Sequence, residues 1–90
     1  MAMTNKKLIL YTTSNCPRCM VIKRWFKEKN ISYEERNLEN PEVMAELIMR
    51  DIFAFSTPIL EVDGEFYFDK DLFIRDSLNE SLLNKLIKKR

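Results

Sequence analysis

The sequence of 90 residues contains no histidine and a single glycine, Gly64. The absence of histidine excludes imidazole-based acid–base catalysis within the chain, and it excludes a zinc site of two cysteines and two histidines. An internal repeat, a low-complexity tract and a Gly/Ser-rich linker are absent as well. From this length and composition we expect one domain that covers residues 1–90.

Long apolar runs and an excess of charge of one sign are also lacking. No run approaches the roughly 20 residues that a membrane helix needs, and the start, MAMTNKKLIL, lacks the features of a secretory signal. Fifteen basic and 14 acidic residues give a net charge of +1, which predicts no nucleic-acid and no membrane partner. We expect a cytoplasmic protein, in which a close cysteine pair is more often catalytic or metal-binding than structural.

The pattern of apolar residues predicts the element order β-α-β-α-β-β-α. KLILYT (Lys7–Thr12) is typical of a buried strand, and ISYEERNL (Ile31–Leu38) of a second strand. STPILEVDGEFYF indicates a hairpin with Asp63-Gly64 as its turn. A right-handed crossover makes the first two strands parallel, so we expect an α/β fold with one mixed four-stranded sheet flanked by helices.

The first two helices are predicted from proline positions and apolar spacing. Pro17 suits the first position of a helix that ends near Asn30. Its buried face should carry Cys19, Ile22 and Phe26, with Val21 and Trp25 beside them. Lys23, Arg24 and Lys27 fall on the outer side, which suits solvent or a docked partner. A second helix is expected from Pro41, capped by Asn40, with a stripe of Met44, Leu47, Ile48 and Ile52.

The final segment, DLFIRDSLNESLLNKLIKK, is predicted to be helical. Ser77 and Glu80 have the spacing of a capping box, so the segment is expected as one helix or as two pieces with a short turn before Ser77. Lys85, Lys88 and Lys89 would complement the negative end of the helix dipole.

Both cysteines lie in YTTSNCPRCM (Tyr11–Met20), two residues apart. With Pro17 as the first helical residue, Cys16 is expected at the N-cap and Cys19 one turn inside the helix. Unpaired backbone N–H groups and the positive end of the helix dipole then favour the Cys16 thiolate. Cys16 is therefore the predicted nucleophile of a disulfide exchange, and Cys19 the resolving thiol that attacks the mixed disulfide.

Three alternatives for the pair stay open at this point. The cysteines could be inert core residues, since cysteine is often buried. They could serve a metal carrier or a cluster-bridged dimer through Cys16 of two chains, although zinc would need ligands beyond two thiolates. They could also form a redox-sensing interaction module that does not turn over.

A second clue is Thr57-Pro58, because proline is uncommon in strands and belongs at their starts or edges. Together, LILYTTSNCPRCM and STPILEVDG resemble the glutaredoxin branch of the thioredoxin-fold superfamily, and the resemblance covers essentially all 90 residues. It implies a thioredoxin fold and a thiol–disulfide oxidoreductase that needs no bound cofactor and no metal. It further implies that the Thr57 backbone holds an extended substrate and that Pro58, as a cis residue, lies beside the cysteines. Pro17 and Arg18 are further candidate substrate-binding residues. The positive charge of Arg18 would favour acidic protein partners.

The chain resembles two branches of the family, which use different electron donors. Glutathione-using glutaredoxins commonly have a lysine at the position of Thr13 and a Gly-Gly pair at Phe68-Asp69, whereas Asp71 matches their acidic residue and is a candidate substrate-binding residue. The chain also resembles NrdH-like redoxins, which take electrons from a thioredoxin-reductase-type flavoenzyme and can reduce ribonucleotide reductase, but it lacks their Trp-Ser-Gly-Phe segment. The resemblance implies disulfide-containing protein substrates, including ribonucleotide reductase, and either donor. We expect a monomer.

Overall fold

The core of the fold is one mixed sheet, seen in a computed structural model that describes residues 7–53 and 56–87. Its strands are β1 (Leu8–Thr12), β2 (Glu34–Asn37), β3 (Ile59–Val62) and β4 (Glu65–Tyr67). They lie in the order β2-β1-β3-β4. β1 pairs parallel with β2 and antiparallel with β3, and β3 pairs antiparallel with β4 across the Asp63-Gly64 turn. This arrangement confirms the predicted α/β fold with a mixed four-stranded sheet.

Helices cover both faces of this sheet. They are α1 (Pro17–Glu28), α2 (Pro41–Met49), the short α3 (Asp69–Leu72) and α4 (Glu80–Ile87). A small hairpin of β5 (Phe73–Ile74) and β6 (Ser77–Leu78) lies between α3 and α4. Within residues 7–53 and 56–87, none of these helices has the length and apolar character to cross a membrane.

Alternation along β1 and β3 divides the buried side chains between two cores, because successive side chains of a strand point to opposite faces. One core joins the sheet to α1 and α4 and contains Leu8, Leu10, Leu60 and Val62 with Ile22, Trp25, Phe26 and Leu83. The other joins the sheet to α2 and contains Ile9, Tyr11, Leu38, Leu47 and Ile59. The sheet is therefore sandwiched between helices, as its apolar faces require.

The second helix begins as predicted but is shorter than its apolar stripe. The Asn40 side chain accepts a hydrogen bond from the Glu42 backbone N–H at 2.9 Å, which caps the helix whose first residue is Pro41. α2 ends at Met49, and Asp51, with φ 62°, turns the chain away. Ile52 therefore reaches the α2 core from beyond the helix, while Ile48 is 46% exposed.

The prediction of a helix through DLFIRDSLNESLLNKLIKK is wrong for its first half. Leu72 and Leu83 are both buried in the α1 core, whereas a continuous helix would separate them by about 16 Å along its axis. The β5–β6 hairpin folds the segment back on itself. Ser77 lies in β6, and the cap of α4 is Asn79, whose side chain accepts a hydrogen bond from the Leu82 N–H at 3.2 Å.

Of the three lysines expected near the negative end of the last helix, one lies within the described residues. Lys85 lies in the last turn of α4, as predicted. Lys88 and Lys89 lie outside the described residues.

Candidate active site

The loop after β1 leads both cysteines to the start of α1. Asn15 has φ 57°, which turns the chain into the helix, and the Ser14 side chain and N–H donate hydrogen bonds to Glu39 at 2.8 and 3.2 Å. Cys16 is the N-cap, and Pro17 follows it as the first helical residue. The Cys19 N–H donates to the Cys16 sulfur at 3.1 Å, so the helix N-terminus is directed at that sulfur as the sequence predicts.

The two cysteines form a disulfide with a Cα–Cα distance of 5.2 Å. Cys16 is 9% exposed and Cys19 is 1% exposed. Thiol–disulfide exchange requires an approaching sulfur to reach the thiolate, so Cys16 is the sulfur that a partner can contact and Cys19 is the internal one.

Thr57-Pro58 lies against the disulfide. The peptide bond between these residues is cis, and Pro58 is fully buried. The Thr57 hydroxyl is 3.4 Å from the Cys16 sulfur and 2.9 Å from the Thr13 hydroxyl. A threonine hydroxyl has a single proton, and when Thr57 donates it to the sulfur, Thr13 donates to Thr57. The loop before β3 thus contacts the active-site loop through a short chain of hydroxyl groups.

Arg18, between the cysteines, is held by the α3 and β5–β6 region. Its guanidinium is 3.5 Å from the Asp69 carboxylate and 3.3 Å from the Asp76 carboxylate, and it donates a hydrogen bond to the Arg75 carbonyl at 2.9 Å. It also lies over the Phe73 ring, 5.0 Å from the centroid. The charge that was expected to attract acidic partners is therefore placed against carboxylates of the chain itself.

These contacts form one side of an open groove of about 560 Å³ beside Cys16, which we call the active-site groove. Its lining residues are Thr13, Asn15, Cys16, Pro17, Arg18, Val21, Thr57, Phe73 and Asp76. Three of the predicted substrate-binding residues, Pro17, Arg18 and Thr57, are thus brought together with Cys16.

Two other predicted site residues lie outside this lining. Pro58 is buried behind Thr57. The Asp71 carboxylate accepts a hydrogen bond from the Phe68 N–H at 3.0 Å at the start of α3, and it is not among the groove residues. The substrate-binding roles of both residues stay predictions.

Phe73 and Asp76 are site residues that the sequence analysis missed. Both lie in the segment that was expected to be helical. The signal that could have found them is weak: the apolar pair Phe73-Ile74 and the mixed pair Ser77-Leu78 flank Arg75-Asp76, and Arg75 adopts φ 59° at the tip. Two-residue strands are too short for an alternating pattern to be distinguished from a helix.

Two features define the class of this protein. A CxxC pair lies at a helix N-terminus opposite a cis-proline loop, and the mixed sheet has the strand order β2-β1-β3-β4. Together they define a thioredoxin-fold protein with a redox-active CxxC site. The family model for glutaredoxin matches residues 8–67, which include both cysteines and Thr57-Pro58. The chain belongs to the glutaredoxin family.

Curated relatives point in the same direction. The chain is 34% identical over 58 residues to the glutaredoxin-like protein NrdH of Lactococcus lactis, with 52% of this chain and 81% of that protein covered. It is 34% identical over 77 residues to the global transcriptional regulator Spx 2 of Bacillus anthracis. That match covers 81% of this chain but only 59% of Spx 2, so the chain spans less than two thirds of that relative's length.

Solved structures give the same fold. The thioredoxin-like protein BC3987 superimposes with a TM-score of 0.67 at 26% identity, covering 90% of this chain and 100% of that one. NrdH-redoxin from Escherichia coli gives a TM-score of 0.66 at 17% identity, covering 93% and 99%, which supports the fold alone.

Glutaredoxins and NrdH-redoxins are thiol–disulfide oxidoreductases, and this chemistry is favoured over that of a metal carrier. In the described parts of the chain, no group of three or more His, Cys, Asp and Glu side chains could hold a metal ion.

Proposed function

We propose that this chain reduces disulfides in protein substrates, with Cys16 as the nucleophile and Cys19 as the resolving thiol. The observation that carries the proposal is the difference between the two sulfurs. Cys16 borders the active-site groove at the helix N-terminus, whereas Cys19 is buried one turn further on. Only Cys16 can meet the sulfur of another protein without a change in the fold.

The reaction follows from this geometry in two exchanges. The Cys16 thiolate attacks one substrate sulfur, the substrate S–S bond breaks, and the departing thiolate takes a proton from water. Cys19 loses its proton and attacks the Cys16 sulfur, so the mixed disulfide breaks and the second substrate thiol leaves. Two electrons have passed to the substrate, and the Cys16–Cys19 disulfide, the state in the structure, remains. A donor then returns two electrons and one proton, which restores the Cys16 thiolate and the Cys19 thiol.

The groove residues have separate proposed roles in this reaction. Thr57 offers its backbone to an extended substrate at the mouth of the groove, with Pro58 fixing the loop behind it. Pro17 and Arg18 form the opposite side. The Thr57 hydroxyl, 3.4 Å from the Cys16 sulfur, is a donor that can stabilise the thiolate. Asp71 is proposed to contact the substrate only after a rearrangement, because its carboxylate caps α3.

A thioredoxin-reductase-type flavoenzyme is the proposed electron donor. The Thr13 hydroxyl, at the position of the lysine that pairs with glutathione, is hydrogen-bonded to Thr57. Phe68, at the Gly-Gly position, packs against the α2 core. The match to NrdH of Lactococcus lactis supports the same donor. We further propose ribonucleotide reductase as a substrate, a monomeric state and action in the cytoplasm.

Substitution of each cysteine tests the assignment of roles. Cys16→Ser is expected to abolish reduction of insulin disulfides, because the attacking sulfur is lost. Cys19→Ser is expected to retain the first exchange and to accumulate a mixed disulfide, which non-reducing electrophoresis and mass spectrometry detect at Cys16. Either of two results with the Cys16→Ser protein contradicts the proposal: retained turnover, or a mixed disulfide between Cys19 and the substrate.

A second candidate is a redox-sensing interaction module, and the match to Spx 2 over 81% of this chain favours it. Such a module would use formation of the Cys16–Cys19 disulfide to change its affinity for a partner. Multiple turnovers of insulin or hydroxyethyl disulfide distinguish an enzyme from this module, which would be oxidised once and then stop.

A further inference from the structure

A second groove runs along the outer side of α1. Met20, Lys23, Arg24 and Lys27 lie at helix spacings of three, four and seven residues, so they share one side of α1. Together with Tyr33, they line a groove of about 580 Å³, which we call the α1 groove. Met20 is 63% exposed although it is a large apolar side chain. Tyr33 packs against the α1 core, whereas Met20 belongs to neither core.

The α1 groove begins next to the reactive sulfur. Met20 lies one helical turn after Cys16, and its N–H donates to the Cys16 carbonyl at 3.2 Å. Val21, the neighbour of Met20, lines the active-site groove. Lys27 lies about 16 Å along the helix axis from Cys16, which about five extended residues span. A polypeptide whose disulfide reaches Cys16 can therefore continue along α1.

Two of the three basic side chains that line the α1 groove form no ion pair among the described residues. Lys23 forms an ion pair with Glu35 at 3.1 Å. Arg24 and Lys27 are exposed and form no ion pair within residues 7–53 and 56–87. Arg18 differs, because its guanidinium contacts Asp69 and Asp76. Among the four basic residues of α1, Arg24 and Lys27 are therefore the two that form no ion pair within residues 7–53 and 56–87.

We propose that the α1 groove docks an acidic segment of the protein substrate that flanks its disulfide. An apolar side chain of that segment contacts Met20 and Tyr33, and its carboxylates lie near Arg24 and Lys27. Complementary charge mainly raises the association rate and selects among partners. A net charge of +1 for the whole chain favours a local acidic protein segment over nucleic acid as the occupant. The proposal rests on the disulfide-reducing function.

Two synthetic peptides test the docking surface. Both contain the same intramolecular disulfide, and each continues into five residues, either Asp-Leu-Glu-Asp-Glu or Lys-Leu-Lys-Lys-Lys. The wild-type protein is expected to reduce the acidic peptide with a kcat/KM roughly tenfold higher. The double variant Arg24→Glu, Lys27→Glu is expected to invert this preference. Lys85→Glu changes an exposed lysine of α4 that lies outside the groove and should keep the wild-type preference.

Hydroxyethyl disulfide separates the two proposals, because it has no flanking segment. A protein that fails to reduce it refutes the proposed function. A protein that reduces it but treats both peptides alike overturns the docking surface. The preference should also disappear at about 1 M salt, where the Debye length is ~3 Å. If the double variant loses affinity for a single-stranded DNA oligonucleotide while its peptide preference is unchanged, the surface binds nucleic acid and the proposal is wrong. Circular dichroism verifies that each variant is folded.

Discussion

At the scale of single residues, Glu61 is a carboxylate buried within the sheet, where an unpaired charge would be strongly destabilising. It accepts a hydrogen bond from the Tyr11 hydroxyl at 2.8 Å and two from the Arg50 guanidinium at 3.1 and 3.4 Å. Arg50 in turn lies 4.8 Å from the centroid of the Phe66 ring. The group joins the end of α2 to the sheet. Burial, with the hydrogen bond to Glu61, raises the pKa of Tyr11 from 10.0 to about 12.

Tyr11→Phe tests this network through its pH dependence. At neutral pH the variant should lose about 1–2 kcal/mol of unfolding free energy, because a buried hydrogen bond to a charged group is removed. Tyr11 keeps its proton to higher pH in the folded protein than in the unfolded chain. Its contribution is therefore complete below the unfolded pKa and is lost as pH rises through the folded pKa. The free-energy difference between wild type and variant should fall between pH 10.0 and about 12.

Urea unfolding followed by the fluorescence of Trp25, the sole tryptophan, measures this difference. Other alkaline titrations, including those of Tyr33 and Tyr67, are common to both proteins and cancel in the comparison. A difference that stays constant over this range would show that Tyr11 is not coupled to Glu61 by its proton.

At the scale of elements, Arg18 ties α1 to α3 through the Asp69 carboxylate, and to the β5–β6 hairpin through the Asp76 carboxylate and the Arg75 carbonyl. Phe73 and Asp76, both from this region, line the active-site groove. Arg18 is thus a positioning residue for one side of that groove. Partly exposed ion pairs contribute little to global stability, so the consequence of removing them is local.

Arg18→Met retains an apolar side chain over Phe73 and removes the charge. We expect faster hydrogen exchange at the backbone amides of β5 and β6, with nearly unchanged exchange in β1 and β3 and a nearly unchanged unfolding midpoint. Reduction of insulin should slow by a few-fold, because a mobile hairpin no longer presents Phe73 and Asp76 to the substrate. Exchange is measured by mass spectrometry on the oxidised protein, in which the cysteines are fixed in one state.

Lys23→Met is the matched control for local exchange. It removes a single ion pair, with Glu35, from the same helix, and among the described residues Lys23 forms no ion pair with the hairpin. Equal increases of β5 and β6 exchange in both variants would mean that Arg18 does not hold the hairpin.

At the scale of the whole molecule, the site forms where three distant segments meet. The active-site loop at Cys16 lies 41 positions before Thr57 of the cis-proline loop, and the hairpin at Phe73 follows that loop. The antiparallel pairing of β1 with β3 brings the first two together. The reaction needs a donor that can enter this same groove. Residues from all three segments therefore determine which donor can bind.

A comparison of electron donors is the prediction at this scale. A thioredoxin-reductase-type flavoenzyme with its nicotinamide substrate is expected to reduce the Cys16–Cys19 disulfide faster than glutathione with glutathione reductase does. The Thr13 hydroxyl, which is bonded to Thr57, supplies no positive charge to pair with a carboxylate of glutathione. Phe68 packs against the α2 core at a position where glycine would let the backbone of a ligand approach closely. Consumption of the reduced nicotinamide, followed by absorbance with equal protein, measures both rates. Faster reduction by glutathione would place the chain with the glutathione-using branch.

The helix starts and the sheet could be predicted because their signals are local. Pro17 after Cys16 and Pro41 after Asn40 mark helix N-termini by chemistry that acts within a few residues. The short apolar run of β1 and the Asp63-Gly64 turn are equally local. The N-cap position of Cys16 belongs to this group as well, since it depends on the helix that begins at the next residue.

The tail and the partners of charged side chains could not be predicted in this way. The segment from Asp71 onward has helical composition throughout, and the need to bury Leu72, Phe73 and Leu83 together folds part of it into a hairpin. Arg18 illustrates the same point, because nothing near it in the chain shows that Asp69 and Asp76 will take its charge.

The sequence by itself determined the α/β topology, the place of the cysteine pair at a helix start and the resemblance to glutaredoxins, because each depends on neighbours a few positions away. Only the tertiary structure decided which side chains surround the cysteine pair and which positive charges stay free. Those properties arise when segments far apart in the chain compete for the same buried space and the same oppositely charged groups.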